Sequence, residues 1–387
     1  MIVQPSEIWI HALGAKVGGG ITYLQSVLPE LVRRLEGSGT RLVLLLPSPL
    51  APSDIPALPD PLPDWIDVRP LPRFAASPAA RMLFDQLVLP LWLLGKRGRA
   101  ALFCSGSFAP LLSPVQTVVL LRNAIYFDDE FLARERPGLR RSLRLQGRLI
   151  AAGAHRAHEV HFPSASFRSQ VERRHPRLAG RARVNGYGVH PLFARAASTI
   201  DVPATTRGNG RDPRWTFLYV MTYTLQKNLG FLLEALVQAQ AERLPVRVQL
   251  TSRLDAGPLA SFAADRALLE RHRLVETGYL DLIGPRFGDE LLAAYHAADA
   301  CLFPSLCESF GHPLVEAMAL GKPVIAADRP YAREICGEHA LYVDPAIPED
   351  LVALWRRWPE PAHGLPALPH PELLRRFSWS DHVDRLL

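Results

Sequence analysis

Short apolar runs alternate with longer amphipathic stretches along most of the chain. Near the start, an extended run from Glu7 to Ala12 leads through Lys16 into GGG. The stretch ITYLQSVLPELVRRLEGSG then places apolar residues at helical spacing, ends on Gly37 and Gly39, and gives way to RLVLLLP. The order strand, glycine loop, helix, strand predicts a βαβ unit. The runs ALFCSG, TVVLL and EVHFPS continue the alternation up to RVNGYGVHPLF. The segment AASTIDVPATTRGNGRDPR is polar, marked by Gly and Pro, and has no period. Beyond it the scheme repeats: WTFLYV, FLLEALVQAQAERL, VRVQLTS, ELLAAYHAAD, ACLFPS, LVEAMALG, KPVIAAD, ALYVD. This predicts an α/β fold of two Rossmann-like, doubly wound domains. The expected organisation is a first domain over 1–195, a linker over 196–213, a second domain over 214–370 and a helical tail over 371–387.

A length of 387 residues exceeds what one hydrophobic core usually serves, which agrees with two domains and leaves room for a cleft between them. At 48% hydrophobic and 21% charged residues the chain is ordinary for a globular protein. Two Pro-rich stretches, PSPLAPSDIPALPDPLPDW and WPEPAHGLPALPHP, interrupt the pattern, and the first reads as a surface loop because proline removes donors and fixes φ. Cys104, Cys301, Cys307 and Cys336 form no CxxC pair and no zinc spacing, which fits a reducing cytosol. Glu7 lies inside the first apolar run, and no basic start or long apolar core of a signal peptide precedes it, so export is not expected. The most apolar stretch, MLFDQLVLPLWLLGKRG from Met82, is broken by Asp85, Gln86 and Pro90 and is too short to span a bilayer.

The net charge of +6 is mild, but Phe131 to Arg183 carries thirteen arginines against Glu135, Glu159 and Glu172. Within it, PGLRRSLRLQGRLIAAGA sets Leu139, Leu143 and Ile150 among Arg140, Arg141, Arg144 and Arg148 at helical spacing. Two readings stand: a domain helix with an apolar core stripe and solvated arginines, or a face that docks on an anionic membrane. No nucleic-acid partner is indicated. His155, His158 and His161, at spacing three, read as surface histidines. Asp128 and Asp129 read as a solvated turn, and no metal site is assigned to them or to any other residues.

The sharpest chemical signal is CESFGHPLVEAMALGK, where Glu308 and Glu316 stand eight positions apart across a glycine turn and a helix start. Gly311 permits close backbone approach, and amides from Phe310 onward can point at an anion or at sugar hydroxyls. A capped amphipathic helix with Leu314, Met318 and Leu320 in the core and the glutamates solvated would produce the same pattern. The glycine loop lacks GxGxxG, which argues against a dinucleotide cofactor.

E-x7-E enclosing FG, followed by EAMA.G.PVIA and YVDP, resembles the retaining GT-B glycosyltransferases of family 4. GGG near the start, FPSASF, NGYGVHPLF, FLYV with Lys227 and Asn228, and FSW in the tail extend the likeness over nearly the whole chain. The resemblance implies a GT-B fold whose first domain binds acceptor and whose second binds a nucleotide diphosphate sugar, with the tail packing back on the first domain. Under it, Glu308 faces the transferred sugar, the amides of Phe310, Gly311 and Leu314 line sugar and diphosphate, and Glu316 holds the ribose. Lys227 neutralises the diphosphate beside Asn228, while Gly18, Gly19 and Gly20 bring amides to the phosphates. Two positions depart from the family. Met221 and Thr222 stand where an arginine is usual, leaving Arg253 or Arg122 as substitute cations. Arg122 replaces a frequent histidine, so Arg122 with Asn123 becomes the acceptor-side candidate.

The function expected is metal-independent, retaining transfer of a hexose or related sugar to a glycan or lipid-linked acceptor, with no cofactor beyond the donor. The setting expected is bacterial surface polysaccharide assembly, in the cytoplasm or peripherally at the inner face of the membrane. A nucleotide-sugar epimerase of the same fold, or a silent carbohydrate-binding or partner subunit, are the alternatives.

Overall fold

The computed structural model describes residues 5–13, 19–47, 58–59, 61–71, 78–197, 213–254 and 262–387. Contacts divide the chain into two compact units, Met1–Gly188 with Ser378–Leu387, and Val189–Phe377. Most of the expected linker, and most of the first Pro-rich loop, fall outside the described residues.

The first unit is built on β1 (Glu7–His11), β2 (Arg41–Leu46), β3 (Ile66–Pro70), β4 (Ala100–Cys104), β5 (Gln116–Leu120), β6 (Glu159–Phe162) and β7 (Ala182–Val184). Every pairing is parallel and the order is β3-β2-β1-β4-β5-β6-β7. A parallel sheet needs a crossover for each strand and is covered on both faces, which is why β2 is apolar at five successive positions and buried at all five. The helix Gly19–Leu35 lays Tyr23, Leu24, Val27, Leu28, Leu31 and Leu35 into the core. In the last segment Trp379 stacks on Tyr187, and a Cβ at Gly188 would overlap the Trp379 ring, so only glycine lets the helix Trp379–Asp384 seat there.

The second unit contains β8 (Trp215–Tyr219), β9 (Val246–Leu250), β10 (Leu280–Leu282), β11 (Ala300–Phe303), β12 (Val324–Ala327) and β13 (Leu341–Val343). These run parallel in the order β10-β9-β8-β11-β12-β13. Both sheets reverse their strand order once, at β1/β4 and at β8/β11. Connections leave in opposite directions at such a reversal, opening a crevice at the carboxyl ends of the strands where ligands bind in doubly wound folds.

The apolar stretch from Met82 is helical: Pro78–Leu83, one π turn over Phe84–Val88, then Leu89–Leu94. Pro90 falls in the first turn of the last piece, where no intrahelical donor is required of it. Among the described residues no helix is long and apolar enough to cross a membrane.

Candidate functional site

In the second unit the reversal gathers the predicted residues. Lys227 ends a single 3-10 turn, Leu225–Lys227, beyond β8, and Glu308 lies in the loop after β11, the strand next to β8. Lys227 Nζ donates to Glu308 Oε1 at 2.6 Å and sits 4.9 Å from the centre of the Phe303 ring. Both side chains keep some exposure, 15% and 17%, so the pair is open to a ligand. The two loops are tied together below it: Leu306 N donates to Gln226 O at 2.7 Å, Tyr219 Oη donates to Lys227 O at 2.5 Å, and Tyr331 Oη donates to Ser305 O at 2.7 Å. Asn228 takes a left-handed conformation at φ 56° and donates from Nδ2 to Pro345 O, fixing the exit of the turn into the helix Leu229–Ala241.

The glycine turn is confirmed at Gly311, which has φ 103° and precedes the helix His312–Ala319. A Cβ there would meet Leu314 Cδ1 at 3.0 Å. Leu314 N already donates to Gly311 O at 3.0 Å, so its amide is engaged within the first turn. Phe310 is buried and packs edge-on against Phe377. Glu316 is buried and not solvated as the capped-helix reading would have it; Tyr295 Oη donates to its Oε2 at 2.8 Å. Burial pushes the Glu316 carboxyl up to about 7, against a smaller opposing effect of the Tyr295 bond. Met221 is buried and held by Thr251, whose Oγ1 accepts from Met221 N. Arg253 is exposed beyond the carboxyl end of β9, with Nε over Gly284.

In the first unit Gly18 lies outside the described residues, while Gly19 and Gly20 open the first helix. Arg122, just after β5, donates to Gly19 O and to Ser105 O, and its guanidinium covers the Tyr23 ring at 5.1 Å. Its backbone N donates to Ser107 Oγ at 3.1 Å. Asn123 is a capping residue, its Oδ1 accepting from Ile125 N. Sequence reasoning missed a buried contact here: His11 Nε2, at the end of β1, donates to Asp85 Oδ1 at 2.7 Å. Asp85 interrupting an apolar stretch was its visible signal.

Three expectations are corrected. His161 is buried in β6 and is not a surface residue, because the preceding helix ends at Arg156 and the chain becomes strand. Its Nε2 donates to Glu159 and its Nδ1 accepts from Asn185. Asp128 is half-buried at a helix cap and not in a solvated turn, while Asp129, 75% exposed, is solvated as expected. Asp128 caps the helix Asp129–Arg134 and accepts from Gln170, while Asp129 pairs with Arg174. In the helix Pro137–Arg156, Leu143 and Ile150 are core, but Leu139 is exposed at 40%, beside exposed Arg141, Arg144 and Arg148.

Residues 214–358 match the family model described as Glycosyl transferases group 1. The second unit is a group 1 glycosyltransferase domain. Solved structures extend the likeness of this glycosyltransferase fold to the whole chain. Sucrose-phosphate synthase from Thermosynechococcus elongatus aligns over 99% of this chain and 97% of its own, with TM-score 0.68 and 19% identity. HepE from Anabaena, in complex with UDP and glucose, aligns over 99% and 98% with TM-score 0.64 and 16% identity. The fold is therefore GT-B, two Rossmann-like units. Among curated relatives, the serotype-specific mannosyltransferase WbdA of Escherichia coli is 35% identical over 104 residues, 26% of this chain and 12% of WbdA. The D-inositol 3-phosphate glycosyltransferase of Rhodococcus jostii is 33% identical over 186 residues, 46% of this chain and 40% of that enzyme. The O-antigen chain mannosyltransferase RfbU of Salmonella typhimurium is 46% identical over 57 residues, 15% and 16%. The chain thus spans less than half the length of each of these curated relatives.

Proposed function

We propose that the chain is a retaining, metal-independent glycosyltransferase that moves a hexose from a nucleotide diphosphate sugar to a glycan or lipid-linked acceptor in surface polysaccharide assembly. The observation that carries this is the Lys227–Glu308 pair at the strand reversal of the second unit. An ammonium and a carboxylate held side by side suit a ligand that is anionic at its diphosphate and rich in hydroxyls at its sugar. Lys227 is then assigned to the diphosphate oxygens and Glu308 to sugar hydroxyls, each giving up part of its bond to the other. Glu316, deep in the helix, would accept from ribose hydroxyls. Arg122, with Asn123, is assigned to the acceptor side.

In the transfer, the bond between the anomeric carbon and the phosphate oxygen breaks and an acceptor hydroxyl oxygen bonds that carbon on the same face. The acceptor proton passes to the departing phosphate oxygen, and a nucleoside diphosphate leaves. No protein base is required, because the residues supply position and charge. Mannosyltransferases recur among the relatives, and this supports a mannosyl donor as the first to test.

The test is incubation with labelled mannosyl, glucosyl and galactosyl nucleotides in excess EDTA. Transfer or slow donor hydrolysis is expected. Donor isomerisation would mark an epimerase, binding without turnover a silent subunit, and activity restored only by Mg²⁺ or Mn²⁺ would overturn metal independence.

A further inference from the structure

The helix pieces from Pro78 to Leu94 cover the first sheet with one side only. Phe84, Leu89 and Leu93 are buried, whereas Leu83, Leu87, Leu91 and Leu94, at spacings of four, four and three, are 56–64% exposed, flanked by exposed Met82 and Trp92. Gln86, the polar residue among them, does not relieve this face. Its Oε1 accepts from Leu111 N at 2.8 Å and its Nε2 donates to Ala109 O, which pins a second apolar element, with Leu112 72% exposed, against the same helix. An aligned row of large exposed aliphatic side chains is a docking surface and not a scatter of single residues.

The charges beside it select the occupant. Of the cations from Pro78 to Arg99, Arg81 pairs with Asp85, which is buried against His11, and Lys96 pairs with Glu7, so the charge offered outward comes from Arg97 and Arg99. Arg97 and Arg99 are exposed immediately after the apolar row. Leucines to enter acyl chains, a tryptophan at headgroup depth and arginines to reach phosphates together fit an anionic bilayer surface. The His11–Asp85 contact also fixes where this face lies: His11 ends β1, so the exposed row runs down from the carboxyl edge of the first sheet, beside the strand reversal.

We infer that the Met82–Leu94 face, with Arg97 and Arg99, is the surface by which the first unit lies on anionic membrane lipid. The inference rests on the reading that the acceptor is lipid-linked, and it assigns docking to this face in place of the arginine-rich helix Pro137–Arg156. Docked this way, the first unit presents its reversal at the bilayer surface from which such an acceptor protrudes.

The experiment is flotation of the full chain with phosphatidylcholine vesicles, with and without about one-third phosphatidylglycerol. Binding only to the anionic vesicles is expected, weakened by salt. Trp92 emission should shift to the blue and be quenched by brominated acyl chains, a signal removed by Trp92→Phe. Leu83→Ser with Leu87→Ser and Leu91→Ser should weaken partitioning by about ten-fold or more while nucleotide binding is unchanged, which shows the protein still folded. Glu308→Gln should keep vesicle binding while losing transfer, so a wrong functional reading leaves this result intact. Three results would overturn the inference: undiminished binding by the triple leucine variant, loss only on Arg140, Arg141, Arg144 and Arg148→Ser, or a leucine-dependent dimer that ignores vesicles.

Discussion

At the residue scale, the Lys227–Glu308 pair is accessible, short and held by a frame of backbone bonds that neither side chain provides. Lys227→Ala or Glu308→Ala should therefore leave thermal unfolding little changed and lower turnover by about 10²-fold or more, the usual cost of a lost preorganised charge contact. Near-wild-type initial rates in a folded variant would remove these residues from the site. Glu316 gives a pH signature. Its carboxyl ionises near 4.5 in the unfolded chain and at about 7 in the folded protein. Between those values the folded state holds the extra proton, so this residue's contribution to stability is complete below 4.5 and is lost as pH rises through about 7. Glu316→Gln should flatten stability across that window in the ligand-free protein. If Glu316 holds the ribose as proposed, nucleotide affinity should instead strengthen as pH rises through about 7, since the ionised carboxylate accepts hydroxyls better; denaturant unfolding at several pH values reads the first trend and titration calorimetry the second.

At the element scale, the second-unit site depends on how the turn before His312–Ala319 is made. Gly311 occupies φ 103° with Leu314 and Phe303 pressed around it, so Gly311→Ala combines an unfavourable backbone with a 3.0 Å contact. A loss of about 1–3 kcal/mol in unfolding free energy is expected, with weakened donor binding because the helix start carrying the amides must shift. An alanine variant as stable as wild type would show that the turn has an equivalent alternative. The two elements best suited to meet other molecules differ in kind. Pro137–Arg156 buries Leu143 and Ile150 and exposes Leu139 and Leu145 among arginines, whereas Pro78–Leu94 buries Phe84, Leu89 and Leu93 and exposes a row of four leucines.

At the scale of the whole molecule, the last ten residues belong to the first unit although the residues before them belong to the second. His382 is buried there. Its Nδ1 donates to Gly186 O, so Nε2 accepts from Tyr23 Oη, and burial lowers its ionisation to about 3. Asn185 Nδ2 donates to His382 O as well. Removing Ser378–Leu387 should cost the first unit on the order of 3–5 kcal/mol from the loss of Trp379 alone. Separate unfolding transitions, with only the first lowered, would be the expected calorimetric trace, and an unchanged trace would contradict this packing. The sequence by itself determined the two α/β units and most strands, because strands buried on both faces must be apolar throughout, as WTFLY and RLVLLL are. It determined the E-x7-E turn as well, since only glycine suits φ 103°. The short strands β3, β7 and β10 left no such run and were not legible. Nor were Glu316's burial, the inward turn of His161 or the His11–Asp85 contact, because each depends on what a distant segment places opposite a side chain. Only the tertiary structure decided which leucines face solvent, for a helix's apolar residues say that a face needs covering but not whether anything in the chain covers it.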